Sequence, residues 1–360
     1  MRAIVVRRER HEPELIELPR PDPDEGEVLV RMLRVGIDGT DHEVLEDGPG
    51  SFPPGDDHLV LGHEAVGVVE DPNGTAYETG DVVVPTVRRR LDDGPNEYFD
   101  RGEPDMAPPG KHRECGISGA HGFMAEYVAV SERRLVEIPR RLAERGVFVE
   151  PISVSEKAIE HAYASRSPFD WSPQRALVLG NGALGLVTLA MLRQEFDDIY
   201  CLGRRDRPDP TIEVIERLGA TYIDSRETPV PEIPEEHGGM DFIYEATGYA
   251  KHPFESIRAL APNGVVALLG IPDSWTFEID GGSLHTELVT HNKALIGSVN
   301  SNERHFRRAV RTLRALPEWL FDELLTTVAA PTEFEPAFAD SDDQIKAIVE
   351  FASLSDTSDQ

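Results

Sequence analysis

Ala176-Leu-Val-Leu-Gly-Asn-Gly-Ala-Leu-Gly185 decides the fold. A short apolar strand runs into Gly180-x-Gly182-x-x-Gly185, and a helix-like run, Leu186 to Arg193, follows. That order predicts a dinucleotide-binding turn. The first Gly permits the tight turn, the second lets the backbone approach a pyrophosphate, and the third lets the helix pack on the strand. The candidate cofactor residues here are Gly180, Asn181, Gly182, Ala183, Leu184 and Gly185. A second apolar strand, Ile199-Tyr-Cys-Leu202, ends in Gly203-Arg204-Arg205-Asp206. NAD-selective folds place a carboxylate about 20 residues past the last Gly to bind the ribose 2′-OH. Arg204 stands there instead, 19 residues on (204 − 185). Gly203 followed by two guanidinium groups would accept a 2′-phosphate, which predicts NADP, with some NAD use through Asp206.

Outward from this turn, strands at 176–180, 199–202, 221–223, 241–244 and 265–270 alternate with helical segments, beginning with a helix from Ser155. Alternation of this kind predicts a doubly wound parallel sheet over 155–290. Residues 1–154 read as short strands, such as 3–6, 28–30 and 65–69, between Pro- and Gly-rich turns. This is the pattern of a compact β-barrel-like domain. Residues 291–360 are expected to complete that first domain, and 353–360 to form a frayed tail.

The 360 residues carry a formal charge of −30, with 66 acidic against 36 basic side chains, of which five are Lys and 31 Arg. Few Lys and many carboxylates predict a protein adapted to molar salt, where the screening length falls to roughly 3 Å and self-repulsion fades. A nucleic-acid partner is excluded by charge. Two cysteines give no disulfide framework, the N-terminal apolar run is too short for a signal peptide, and no segment is long and apolar enough for a membrane span. These features predict a soluble cytoplasmic protein.

Three segments in the N-terminal part look like a site: Gly36-Ile-Asp38-Gly-Thr40, Gly62-His63-Glu64-Ala-Val-Gly67 and Val149-Glu150-Pro151. Together with Glu150-Pro-Ile-Ser-Val, the glycine turn and Gly297-Ser-Val-Asn300, they resemble the medium-chain dehydrogenase/reductase superfamily, and most closely the glucose dehydrogenases of halophilic archaea. The resemblance covers nearly the whole chain. It implies a GroES-like catalytic domain beside a Rossmann domain, with a catalytic zinc in the cleft between them. It further implies oxidation of a sugar hydroxyl at C1 to the lactone, NADP taking the hydride.

On this resemblance Asp38, His63 and Glu150 are the zinc ligands, with Glu64 as an alternative. Most of the superfamily has Cys where Asp38 stands, so hard oxygen replaces soft sulfur and discrimination for zinc weakens. Thr40 takes the position of a relay hydroxyl. Glu64 or Glu150 accepts the proton through a water. The resemblance points to Glu114, His291 and Asn300, with Thr40, Glu64 and Glu150, as partners of the sugar hydroxyls, and to Thr247 and Asn300 at the cofactor. Many relatives hold a structural zinc with four cysteines in the segment 88–116; this chain has only Cys115 there, which predicts one metal per subunit. The resemblance also implies a homodimer, or a tetramer. Two other readings stay open: a metal-free NADPH-dependent quinone or enone reductase of the same superfamily, favoured by the missing Cys, and a non-enzymatic NADPH-binding protein.

Overall fold

The computed structural model describes residues 1–8, 10–91, 94–339 and 341–354, so most of the expected tail, from 355 on, lies outside the described residues. The chain divides into two compact units, Met1–Ser153 with Asn300 onward, and Val154–Val299.

The second unit holds six parallel strands in the spatial order Thr221–Asp224, Asp198–Gly203, Arg175–Leu179, Met240–Glu245, Leu260–Leu268, Ala294–Gly297. Numbered by chain position this is 3-2-1-4-5-6, the dinucleotide-binding order. The strands are nearly continuous apolar runs because helices cover both faces. Leu177 stands in register with Tyr200 on one side and Ile243 on the other. The helix Ala183–Leu192 has no charged residue, and its residues from Gly185 onward are buried. A helix apolar all round must sit inside. The polar groups it brings along are satisfied: Thr188 Oγ1 lies 2.7 Å from Ser155 Oγ, which lies 2.9 Å from Tyr244 OH. Ala294–Gly297 pairs with Leu260–Leu268, so this unit runs past the boundary near 290 expected from the sequence, to Val299.

In the first unit the eleven-residue strand Glu27–Ile37 is central. Glu64–Asp71 pairs along one edge, Tyr127–Ser131 and Lys346–Glu350 along the other, and Val82–Pro85, Leu135–Glu137 and Leu325–Ala329 extend the sheet outward. Arg10–Glu17, Arg2–Arg7 and His58–Val60 form a second sheet. Ile4, Val30, Met32, Val35 and Leu59 fill the core of this unit. The register fixes the site. Gly36 pairs with Glu64 on one side and Ile348 on the other, so the central strand leaves the sheet at Ile37 between Glu64 and Lys346. A Cβ on Gly36 would lie 2.5 Å from Glu64 Oε2 and 3.0 Å from Lys346 Cε, which is why glycine is needed there.

Candidate active site

Asp38 is not a simple turn residue. It caps the helix Gly39–Glu46 in a capping box: Asp41 N donates to Asp38 Oδ1 (3.2 Å) and Asp38 N donates to Asp41 Oδ2 (3.1 Å). Gly62 N donates to the other oxygen of Asp41 (3.2 Å), which ties the loop before His63 to the same carboxylate. His63 Nε2 comes to 3.4 Å from Asp38 Oδ2. Glu150 lies in the first turn of the helix Val149–Arg166, where a carboxylate suits the helix dipole. Ser153 Oγ donates to the Glu150 carbonyl (2.6 Å). Glu64 forms an ion pair with Lys346, whose Nζ also donates to the Ile37 carbonyl (2.9 Å).

Two groups of three can each bring a ligand atom within 4.8 Å of the others: Asp38, Asp41, His63, and His63, Glu64, Glu150. Ligand atoms about 2.1 Å from a tetrahedral zinc lie roughly 3.4 Å from one another, so the His63–Asp38 separation suits a shared ion. His63 Nδ1 is buried with no hydrogen-bond partner among the described residues. His63, Glu64, Glu150, Asp41 and Lys346 are all buried.

Four carboxylates therefore face one lysine and one imidazole, and burial forbids them all to ionise. Burial pushes Glu150 up to about 8, against the pull of His63 and with the repulsion of Glu64 and Asp38. It pushes Asp41 up to about 7, again opposed by His63. Glu64 also moves up through burial, with Lys346 holding it back. Burial would raise Asp38 too, but His63 and then Lys346 outweigh it and hold this carboxyl well below its ordinary value. Burial disfavours the imidazolium, yet Asp38, Asp41 and Glu150 raise His63 well above its usual value. A donor set of one nitrogen and several hard oxygens, short of positive charge, fits a divalent cation.

The described residues of the segment 88–116 are tied together by hydrogen bonds and ring contacts. The buried Arg88 donates through Nη1 to the carbonyls of Pro104, Asp105 and Ala107, and through Nε to Glu114 Oε1 (2.9 Å). Asn96 caps the short helix Glu97–Asp100, while Arg90 and Arg134 stack on Phe99 at 5.5 and 5.1 Å. Asn300, at φ +56°, donates through Nδ2 to Glu114 Oε1 (3.4 Å). Glu114 and Asn300 are thus brought together, and Glu114 is not a freely solvated charge. Thr40 is half-buried in the first turn of its helix.

In the other unit the glycines divide their work as the spacing predicts. Gly180 takes φ +112°, and a Cβ on Gly185 would lie 2.0 Å from the Gly180 carbonyl. A Cβ on Gly182 would meet nothing within 4 Å, which leaves open space at the start of the helix Ala183–Leu192. Asn181 donates to Thr211 Oγ1 (2.6 Å) and packs where a Cβ on Gly203 would be. Arg204 is exposed. Asp206 is taken up by Arg226 (2.6 Å). Thr247 Oγ1 contacts His252 Nδ1 (2.8 Å) and its N–H donates to Glu245 (2.8 Å) at the same carboxyl end of the sheet.

The family model described as "Glucose dehydrogenase C-terminus" matches residues 143–351, and "Alcohol dehydrogenase GroES-like domain" matches 24–140. The glucose 1-dehydrogenase of Haloarcula marismortui is 61% identical, covering 98% of this chain and 100% of the relative. The chain belongs to the glucose dehydrogenase family. Another member, the glucose 1-dehydrogenase of Halobacterium salinarum, is 58% identical over 98% of this chain and 99% of its own. The solved glucose dehydrogenase of Haloferax mediterranei, in complex with NADP, Zn and gluconolactone, superimposes with a TM-score of 0.96 at 60% identity, covering 98% of this chain and 100% of that one. A 2R,3R-butanediol dehydrogenase from Bacillus subtilis, at 22% identity and TM-score 0.80, shares the fold alone. The family model over 24–140 and the likeness to the Haloferax mediterranei structure make the two domains of this chain those of the medium-chain superfamily, GroES-like and Rossmann.

His291 stands apart from the nucleotide turn within its own unit. His291 follows the helix Gly281–Thr290 and precedes Ala294–Gly297, at the amino ends of the parallel strands, whereas the Gly180 turn is at their carboxyl ends. Its ring contacts Glu287 and Thr290 (both 3.2 Å). In this unit the sheet's length separates His291 from the nucleotide turn, because the strand reaching Gly297 begins, rather than ends, beside it. Sequence reasoning missed Asp41, Lys346 and Arg88. The first carries a signal, the Asp-x-x-Asp spacing of a capping box. The other two reach their partners only through sheet pairing.

Proposed function

We propose that this glucose dehydrogenase oxidises D-glucose, or a closely related aldose, at C1 to the lactone, with NADP as hydride acceptor and one zinc per chain. The observation that carries the reading is the cluster around the buried His63, with Asp38 and Asp41 on one side and Glu64 and Glu150 on the other, short of positive charge, in a chain so similar to a structure described with NADP, Zn and gluconolactone. Asp38, His63 and Glu150 would hold the zinc, and Glu64, held back by Lys346, is the alternative ligand. The zinc supplies Lewis-acid stabilisation of negative charge at the C1 oxygen. Asp41 keeps Asp38 and the Gly62–His63 loop in place. Thr40 would relay the hydroxyl proton, and Glu64 or Glu150 would accept it through a water. Glu114 and Asn300 pair with the remaining sugar hydroxyls.

The second unit binds the cofactor through Gly180–Gly185, Gly203 and Thr247, with Arg204 and Arg205 at the 2′-phosphate. Arg226, by engaging Asp206 and Asp224, partly neutralises nearby carboxylates that would repel that phosphate. A metal-free reductase drew its support from the missing Cys, but Asp38 beside His63 supplies a ligand in its stead. Among the described residues no helix is long and apolar enough to cross a membrane. Two buried free thiols and the acidic surface support a cytoplasmic setting. The open sheet edge at Ala294–Gly297, with Val299 exposed beyond it, supports a homodimer over a monomer. The function is tested by turnover on a panel of aldoses with NADP in molar salt. Glucose should lead; a panel with no turnover on any aldose would refute it.

A further inference from the structure

We infer that Arg88 is a positioning residue for sugar recognition: it fixes which oxygen of Glu114 is offered to substrate. This rests on the reading above that Glu114 accepts a hydrogen bond from a sugar hydroxyl. Arg88 and Glu114 are directly opposed in the paired strands Arg88–Arg89 and Arg113–Cys115. The Arg88 side chain is 5% exposed, and its Nη1 is spent on three carbonyls of the 104–107 segment. Only its Nε reaches Glu114, at Oε1. Asn300 Nδ2 approaches the same oxygen at 3.4 Å, and His112 Nε2 stands 3.8 Å from it. All these groups converge on Oε1, which leaves Oε2 as the acceptor for a ligand.

The lattice behind this pair is closed. Asn302 Nδ2 donates to Asp105 Oδ1 (3.0 Å), tying the 104–107 segment to the turn that carries Asn300. Ser301 N donates to Asn300 Oδ1 (2.8 Å), which sets the amide so that its NH2 faces Glu114. A carboxylate with one oxygen pinned is a directional acceptor. It rewards a hydroxyl in one place and leaves a desolvated charge when that hydroxyl is inverted or missing. Lysine keeps the charge at position 88 but cannot hold three carbonyls and a carboxylate in one planar fork.

The test is a double-mutant cycle of Arg88→Lys and Glu114→Ala, read as KM and kcat for glucose and for epimeric or deoxy aldoses. Arg88→Lys should raise KM for glucose about tenfold, change kcat by less than about threefold, and narrow the preference over analogues. In the Glu114→Ala background it should change KM no further, and KM for NADP should stay unchanged throughout. Should Arg88→Lys not fold, Arg88→Gln replaces it in the cycle. Independent, multiplying effects of the two substitutions would overturn the inference, as would an unchanged KM in Arg88→Lys beside a raised one in Glu114→Ala. An unchanged KM in Glu114→Ala would instead remove the reading of Glu114 itself, and the inference with it.

Discussion

Replacing Arg204 by Ala should cut selectivity for NADP while leaving NAD nearly untouched. Arg204 is exposed at the carboxyl end of Asp198–Gly203, and it makes no hydrogen bond or ion pair among the described residues. Its neighbours are tied into the fold: the backbone N of Arg205 donates to Tyr222 OH (2.8 Å), and Arg207 pairs with Glu216 (2.6 Å). Deleting the Arg204 guanidinium therefore breaks nothing that holds the fold, and such surface changes cost within about 0.5 kcal/mol. A hydrogen bond to a charged group contributes about 1.5–3 kcal/mol. The low end applies because the site is open to water, and about 1.4 kcal/mol is a factor of ten. The expected result is a roughly tenfold fall in kcat/KM with NADP and less than about a twofold change with NAD. Steady-state kinetics with both cofactors in molar salt measures it. There the screening length is roughly 3 Å, so only direct contact with the phosphate survives. An equal loss with both cofactors, or no loss with NADP, would refute the assignment of the 2′-phosphate to this guanidinium.

Asp38→Cys should lengthen zinc retention against a chelator at least about tenfold, since thiolate is the softer ligand. It should also lower thermal stability by about 1 kcal/mol, because Asp38 loses its place as helix cap. Zinc affinity should fall as pH drops below about 8, where Glu150 of the metal-free protein takes up a proton that the ion must displace; titration with zinc between pH 6 and 9 checks this. The sign for stability is opposite. The folded-state values of Glu150 and Asp41 are raised, so their contribution is fully present below their ordinary carboxyl range and is lost as pH rises through about 7 to 8. The metal-free protein should melt lower at pH 8.5 than at pH 5.5, and zinc should reverse the difference. Lowering salt from 1 M to 0.01 M lengthens screening from about 3 to 30 Å. With a formal charge of −30, the melting temperature should fall by several degrees; an unchanged melting curve would contradict the reading of the surface.

What could be read in the sequence was local. Gly180-x-Gly-x-x-Gly185 is a run of backbone demands, and each is met at its own position. The six strands of the sheet carry apolar runs that need no partner to be recognised, except that Ala294–Gly297 is short and half-buried at an edge, so the boundary near 290 fell too early. His63 and Glu64 were legible because they adjoin in one motif. Lys346 was not, because 282 residues (346 − 64) separate it from Glu64 and only the pairing of Lys346–Glu350 with the central strand joins them. Arg88 looked like one arginine in a row of three. Its role depends on the 104–107 carbonyls turning inward, which no periodicity reports. Lysine usage concealed a further regularity: of the five, only Lys111 is exposed, and Lys157, Lys293 and Lys346 each donate to a backbone carbonyl.

Oxidation of the sugar is proposed to need one zinc, held by Asp38, His63 and Glu150. Metal content and glucose turnover with NADP, measured together before chelation, after it, and after zinc is restored, test this most directly. The expected result is one zinc per chain, activity that leaves and returns with it, and neither zinc nor turnover in His63→Ala. Full turnover at a metal content near zero would contradict it.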